Sequence, residues 1–295
     1  MTFLASILHD MEWVVPLRQE SITPVFKFFT ALGFTEFFFA ALPILYWCWN
    51  KEAGSRVAVL TLLAGMLTIF LKDLFQDPRP PAELAVEGTR PDSYGLPSGH
   101  TMMAIVFWGS LAYESNRRWL LILACILVVC ISSSRLYLGV HDLEDVLVGG
   151  GIGLLLLGAL ILKRQRFPRY CRDLLGSLLV LVVPGFLMVL YPQEGSSAGK
   201  LLLVTTFFAA WLIGNEVEKR SVRFANPAGW RRILIGVCGM VLLFLCALGL
   251  RTVLLAVSLP GDLPEAIGGL LIGLATTLWI PWILVKSKLL QRSNS

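Results

Sequence analysis

The chain has 295 residues, of which 56% are hydrophobic and only 15% are charged, and its mean hydropathy is +0.72. Soluble domains carry about a quarter charged residues, so this composition excludes an ordinary soluble protein and indicates a fold built in a bilayer. The net charge of +5 comes from short basic clusters between apolar runs, which is typical of membrane topology, and we expect no nucleic-acid partner. The six cysteines form no C-x-x-C pair, so they predict no metal site.

Apolar runs long enough to cross a membrane follow one another along the chain, since a span needs about 20 mainly apolar residues. Before them, residues 11–31 mix apolar and charged side chains, which is typical of an interfacial helix. Helices are expected throughout, because backbone polar groups in lipid must be satisfied within each segment. The nine predicted spans cover 34–49, 55–75, 99–114, 118–138, 143–162, 174–191, 200–215, 233–257 and 265–285.

Basic residues assign the two sides of the membrane. Five clusters lie between or after the predicted spans, and with nine spans all five fall on the same side, which the positive-inside rule makes cytoplasmic. They begin at Lys51, Arg117, Lys163, Lys219 and Lys286. The opposite side receives the segments 76–98, 139–142, 192–199 and 258–264.

The segments 76–98 and 139–142 differ from the other outer connections, because cations gather in them or at the ends of the neighbouring spans. Arg79 and Arg135 can each offer a bidentate fork to a phosphate, and Lys72 adds a point charge. Ser98 and Gly99 begin a predicted helix, whose first N–H groups can face an anion. These residue types together favour a phosphate-binding site.

Two histidines complete a set for phosphoryl transfer. His141 and Asp145 are four residues apart and share a face of a predicted helix, so the carboxylate can orient one ring nitrogen and leave the other as a nucleophile. His100 can protonate the leaving oxygen. An i, i+4 His–Asp pair alone is more often a satisfied helix start, and the interpretation depends on the convergence of all these residues.

The same residues resemble the type 2 phosphatidic acid phosphatase superfamily, which includes glucose-6-phosphatases and vanadium haloperoxidases. Three motifs occur in the superfamily's order and spacing. They are Lys72 followed after six residues by Arg79-Pro80, then Pro97-Ser98-Gly99-His100, then Ser134-Arg135, five residues, His141, three residues and Asp145. Each motif alone is weak, whereas the ordered set is strong.

The resemblance implies roles for the motif residues. His141 would attack phosphorus, Asp145 would orient it and His100 would act as the general acid. The phosphoryl oxygens would be bound by Lys72, Arg79, Arg135, Ser98 and Gly99. The resemblance implies a metal-independent hydrolase with no metal and no organic cofactor, acting through a phosphohistidine.

The expected fold is an all-α integral membrane protein, with a six-helix phosphatase core bundle and about three extra C-terminal transmembrane helices. We divide the chain into an interfacial segment 1–33, the core 34–191 and accessory helices 192–295. The sixth core helix comes from 11–31 or from 174–191. Arg251 lies inside an apolar run and Glu265 starts the next one, and their roles stay open.

The expected substrate is a lipid phosphate or a polyprenyl diphosphate, such as undecaprenyl diphosphate, reached from the bilayer. Two alternatives remain: a phosphotransferase that uses a lipid or sugar acceptor, and a non-catalytic lipid transporter on the same scaffold. We predict a multi-pass protein of the bacterial inner membrane with its site facing the periplasm; in a eukaryotic internal membrane the site would face the lumen. The motifs carry no information on oligomeric state.

Overall fold

The regular secondary structure of the described residues is helical. The structure is a computed structural model that describes residues 8–86, 88–89, 91–166, 182–192 and 195–293. Within these residues the regular elements are helices, with one isolated bridge between Phe224 and Arg292. The chain forms two compact units, residues 1–37 with 63–196 and residues 38–62 with 197–295. The all-α expectation is confirmed, while the proposed division into 1–33, 34–191 and 192–295 stays a prediction.

Helices of membrane-spanning length confirm most of the predicted spans. Six helices of the described residues are long and apolar enough to cross a bilayer, and the bent pair Thr23–Ala31 with Thr35–Trp49 makes up to seven. The predicted span 99–114 is a helix of only 17 residues. The predicted span 174–191 lies outside the described residues as far as 181, and 182–189 are helical. The protein is therefore a multi-pass membrane protein.

The first unit contains the helices that carry the predicted site. The short turn Glu12–Leu17 precedes its first helix. Helix α4 packs on both α5 and α6, and α1 packs on α5. The helices are α1 Thr23–Ala31, the start of α2 Thr35–Ile44, the second half of α3 Lys51–Phe75, α4 Gly99–Ser115, α5 Arg118–Tyr137 and α6 Leu143–Arg166.

Glycines allow two close helix approaches that position the start of α4. A Cβ at Gly99 would lie 2.7 Å from Cγ2 of Thr68 on α3, and a Cβ at Gly149 on α6 would lie 2.5 Å from the carbonyl oxygen of Ser98. Larger side chains would push these backbones apart. The N-terminus of α4 is therefore fixed between α3 and α6, close to the predicted site.

The second unit combines the rest of α2 and α3 with the C-terminal helices. Helix α2 continues as a π-helical turn Leu45–Trp49, and α9 continues as a π-helical turn Ala275–Trp279. Helix α9 packs along α7, and α8 packs on the turn Leu45–Trp49. The C-terminal helices are α7 Ala198–Ser221, α8 Arg231–Val257, α9 Leu263–Leu274 and α10 Ile280–Lys286.

Aromatic side chains and one buried carboxylate hold the second unit together. Trp47 and Trp211 are fully buried, and Trp47 donates a hydrogen bond of 2.8 Å to the Thr276 carbonyl. Glu218 is also fully buried. Its carboxylate accepts hydrogen bonds from the Lys51 ammonium at 3.3 Å and from the Phe224 backbone N–H at 2.8 Å. Each partner compensates for the burial of the negative charge.

Replacing Glu218 by Ala should lower the free energy of unfolding by about 3 kcal/mol. The partly buried Lys51 ammonium loses its counter-ion and keeps only the Phe224 carbonyl, and the Phe224 N–H loses its acceptor. Chemical denaturation in detergent micelles measures the change. Glu216→Ala is the matched control, since its exposed pair with Arg220 should contribute less than about 1 kcal/mol. Equal losses in the two variants would contradict the role assigned to Glu218.

Candidate phosphate-transfer site

His141 and its carboxylate partner are organised by the first turn of α6. His141 Nδ1 lies 2.7 Å from Asp145 Oδ2, and both side chains are buried. The Asp142 carboxylate accepts a hydrogen bond of 2.9 Å from the Asp145 backbone N–H, as an N-cap residue does. Because a carboxylate accepts, the geometry assigns the proton to Nδ1 and leaves a lone pair on Nε2.

Arg79 faces that lone pair. Its Nη1 lies 3.1 Å from His141 Nε2 and also donates to the Val140 carbonyl. Its Nε donates to the Ser93 carbonyl, and Nη2 donates 3.0 Å to the Ser93 hydroxyl. These contacts fix the position of the guanidinium beside the imidazole. The reactive nitrogen predicted from the sequence therefore points at a cation.

The surroundings of His141 keep its imidazole neutral. Burial is the largest cause that lowers its pKa well below the usual 6.5, and the nearby cations Arg79, Lys72 and Arg135 lower it further. A proton on Nε2 would add a fourth positive charge to a buried group of three. The ring is thus available as a nucleophile at neutral pH.

Arg135 has donors that the protein does not satisfy. The side chain is almost fully buried at the end of α5, and its Nη1 donates to the Thr30 hydroxyl. Its Nε and Nη2 atoms are buried without a hydrogen-bond partner among the described residues. Buried unsatisfied guanidinium donors are costly, and they favour an anionic ligand at this position.

His100 also presents an unsatisfied nitrogen. The Thr30 backbone carbonyl hydrogen-bonds to the ring, while Nε2 is buried and without a partner among the described residues. The ring lies edge-on to Phe34, with centroids 5.1 Å apart, and against Gly33, where a Cβ would come within 2.4 Å of His100 Cδ2. This packing fixes the orientation of Nε2.

Lys72 reaches the site from the C-terminal end of α3. Its ammonium donates to the Gly95 carbonyl at 2.7 Å and to the Tyr94 carbonyl. A Cβ at Gly95 would lie 3.0 Å from Asp145 Oδ2, so this loop passes directly over the His141–Asp145 pair. Lys72 therefore holds the loop as well as adding positive charge.

Ser98 and Gly99 lie at the start of α4 as predicted. The Ser98 backbone N–H, however, donates 2.9 Å to the Asp145 carbonyl, and its hydroxyl accepts from Thr101 at 3.2 Å. The Ser98 N–H therefore joins α4 to α6, and the phosphate-binding role of Ser98 and Gly99 stays a prediction. The first N–H groups of the helix after Ser98 have no intrahelical acceptor.

A third histidine lies beside the site and has no counterpart in the motifs. His9 Nδ1 is 2.7 Å from Asp142 Oδ2, and Nε2 is 2.9 Å from Glu144 Oε2. The hydrogen bond to Asp142 is the main cause that raises the pKa of His9. The N-terminal segment is thereby attached to the residue that caps α6.

The structure brings together the predicted catalytic residues and phosphate-binding cations. The sequence did not reveal Thr30, which contacts Arg135, or Ser93, which holds Arg79, because backbone and hydroxyl acceptors leave no charge pattern. Gly33 was also missed, since its contact with His100 depends on the turn between α1 and α2. Among the described residues no group of three or more His, Cys, Asp or Glu side chains is arranged to hold a metal ion.

Comparison with known proteins agrees with this geometry. Residues 53–169 match the PAP2 superfamily model. This segment contains all the predicted site residues, and the resemblance drawn from the motifs is confirmed.

Curated relatives of the chain share part of their length with it. Lipid phosphate phosphatase delta of Arabidopsis thaliana is 30% identical over 45% of this chain and 36% of its own. Sphingosine-1-phosphate phosphatase 2 of Homo sapiens is 30% identical over 63% of this chain and 49% of its own. Phosphatidylglycerophosphatase B of Bacillus subtilis (strain 168) is 35% identical over 24% of this chain and 43% of its own. The chain spans half or less of each of these relatives.

Arg135→Gln should weaken the binding of inorganic phosphate about 10- to 100-fold, because a charge-assisted hydrogen bond contributes about 1.5–3 kcal/mol. Isothermal titration of the purified protein in detergent measures the dissociation constant. Arg118→Gln changes an exposed arginine at the opposite end of the same helix and should leave it unchanged. An Arg135 variant that stays folded and binds phosphate as the wild type does would rule out this anion site.

Proposed function

We propose that the protein hydrolyses the phosphate ester or diphosphate of a membrane lipid through a phosphohistidine on His141. The observation that carries the proposal is the cluster of cations and unsatisfied polar atoms around His141. The His141 Nε2 lone pair faces Arg79, and buried donors of Arg135 lack a partner among the described residues. A phosphoryl group placed there would satisfy the donors and present phosphorus to the nucleophile.

The first chemical step forms a bond between His141 Nε2 and phosphorus. The bond from phosphorus to the leaving oxygen breaks, and that oxygen takes a proton from Nε2 of the His100 imidazolium. The phosphate monoanion supplies this proton to Nε2 as it enters, while the Thr30 carbonyl holds the other ring N–H. Asp145 accepts the hydrogen bond from His141 Nδ1–H and stabilises the positive charge that develops on the ring. Lys72, Arg79 and Arg135 stabilise the negative charge on the equatorial oxygens.

The second step returns the protein to its starting state. A water molecule attacks phosphorus and passes a proton to His100, while the bond from phosphorus to Nε2 breaks. Inorganic phosphate takes this proton as it leaves, and both histidines are neutral again. Each proton and electron pair is accounted for by the two histidines, the lipid and water.

A lipid substrate is supported by the membrane fold and by the names of the relatives. The site residues lie at the ends of apolar helices, where a headgroup can enter from the bilayer. The relatives are named for lipid phosphates, sphingosine-1-phosphate and phosphatidylglycerophosphate. We place the site on the extracytoplasmic side, because the basic clusters lie at the helix ends away from the site and the positive-inside rule makes those ends cytoplasmic.

Purified protein should release phosphate from one member of a lipid panel, and His141→Ala should reduce that release at least a thousandfold because it removes the nucleophile. Release is measured in detergent with EDTA present. The panel contains phosphatidic acid, phosphatidylglycerol phosphate, a sphingoid-base phosphate, undecaprenyl diphosphate and, as a soluble ester, glucose-6-phosphate.

His9→Ala is a matched control in this assay, since it removes a nearby histidine outside the reacting group. It should keep most of the activity. Full activity in His141→Ala would refute the covalent mechanism. Transfer of phosphate to an added lipid or sugar alcohol, without release to water, would replace the hydrolase with a phosphotransferase.

The acid limb of kcat/KM should lie below pH 6.5, because the lowered pKa of His141 keeps its imidazole neutral there. Arg79→Gln removes one of the cations that disfavour protonation, so the pKa of His141 should rise and the acid limb should move to higher pH. Rates measured from pH 4 to 9 on the same substrate give this shift, and substrate ionisation is common to both proteins.

Arg118→Gln is the control for the pH profile, since this residue lies at the far end of α5 from the site. It should leave the limb in place. A loss of rate in Arg79→Gln with an unmoved acid limb would show that Arg79 does not set the pKa of His141.

A further inference from the structure

The second unit contains a cavity that the proposed reaction does not use. It has a volume of about 470 Å³ and lies between α7, α8 and α9. Its wall is mainly apolar and includes Leu203 and Phe207 on α7, Leu250 and Leu254 on α8 and Ile272 on α9. Cavities of about 300–1,000 Å³ with a few polar groups are typical of sites for small molecules.

Two opposite charges lie in the wall of this cavity. Arg251 belongs to α8 and Glu265 to the first turn of α9. The structure pairs neither with the other, nor does it give either one an ion pair elsewhere among the described residues. Charged side chains in membrane helices without a partner are costly and usually mark a binding site.

The charges lie within two helical turns of the adjacent ends of α8 and α9. Arg251 is six residues from the end of α8 at Val257, which corresponds to about 9 Å along the helix axis. Glu265 follows the start of α9 at Leu263 by two residues. Beyond the two charges the wall continues into the helices with Ala247 and Leu250 on α8 and Ile272 on α9. The cavity thus has a hydrocarbon end beyond the two charges.

We propose that this cavity binds a zwitterionic phospholipid with a primary ammonium group, of the phosphatidylethanolamine class. Its phosphate binds Arg251, its ammonium binds Glu265, and an acyl chain lies along Leu250 and Ile272. An anionic headgroup would leave Glu265 uncompensated and repel it. A neutral lipid would leave both charges without partners.

Gly268 provides a way to close the hydrocarbon end. It lines the cavity, and a Cβ built on it meets nothing within 4 Å. Gly269, its neighbour, faces α7, where a Cβ would lie 2.2 Å from the Leu203 carbonyl oxygen. A larger side chain at Gly268 therefore enters the cavity without disturbing the contact between α7 and α9.

The test is photo-crosslinking of the full chain in detergent micelles with lipids that carry a diazirine on one acyl chain. Phosphatidylethanolamine should label peptides from 247–272 at least fivefold more than phosphatidylglycerol, and diacylglycerol should label them least. This ranking is measured in the wild-type protein and depends on no variant. Equal labelling by phosphatidylglycerol or diacylglycerol would overturn the proposal.

Single substitutions assign the two halves of the headgroup. In Glu265→Gln, phosphatidylethanolamine and phosphatidylglycerol should label alike, because the ammonium loses its partner and the anionic headgroup is no longer repelled. Arg251→Gln should reduce the labelling by both. Gly268→Leu should reduce it for both by filling the chain site.

Matched controls are available on α8. Arg231→Gln lies in its first turn, and Gly249→Leu adds the same side chain at a position where a Cβ meets nothing within 4 Å. Both should label as the wild type does. Labelling unchanged in Arg251→Gln would also overturn the proposal.

Discussion

Three cations concentrated around one imidazole impose the main constraint on the first unit. Lys72, Arg79 and Arg135 repel one another, and burial removes the water that would screen them. The protein compensates with carbonyl and hydroxyl acceptors: Tyr94 and Gly95 for Lys72, Ser93 and Val140 for Arg79, and Thr30 for Arg135. The loop over the site, the end of α5 and the start of α6 are placed by this requirement. Burial, together with the same three positive charges, keeps His141 neutral.

The sequence predicted the parts of the molecule that leave a residue-type signal. Apolar runs located the helices from 51 to 75, 118 to 137 and 231 to 257 to within a few residues, because burial in lipid demands them. The i, i+4 spacing predicted the contact between His141 and Asp145, since one helical turn joins them. The contacts of Thr30 and Gly33 could not be predicted from the sequence, because they depend on how α1 packs against α5.

The partner of the Ser98 backbone N–H could not be predicted from the neighbouring sequence. A residue that begins a helix is expected to offer its N–H to a ligand. Here Gly149 lets α6 approach so closely that the Asp145 carbonyl takes that N–H. Tertiary packing therefore decided the role of the group. The hydrogen bond between Ser98 and Asp145 still serves the proposed chemistry, because it joins the helix of His100 to the helix of Asp145.

The contact between Arg79 and His141 Nε2 means that the proposed nucleophile is covered before substrate binds. The guanidinium occupies the lone pair that the proposed reaction needs, and so it shields the nitrogen from stray protons and electrophiles. An entering phosphoryl group offers Arg79 new oxygen acceptors at the moment it claims the nitrogen. The hydrogen bond that Arg79 gives up to His141 is then replaced by one to the phosphoryl group. The nucleophile becomes available only when a molecule that carries phosphate binds.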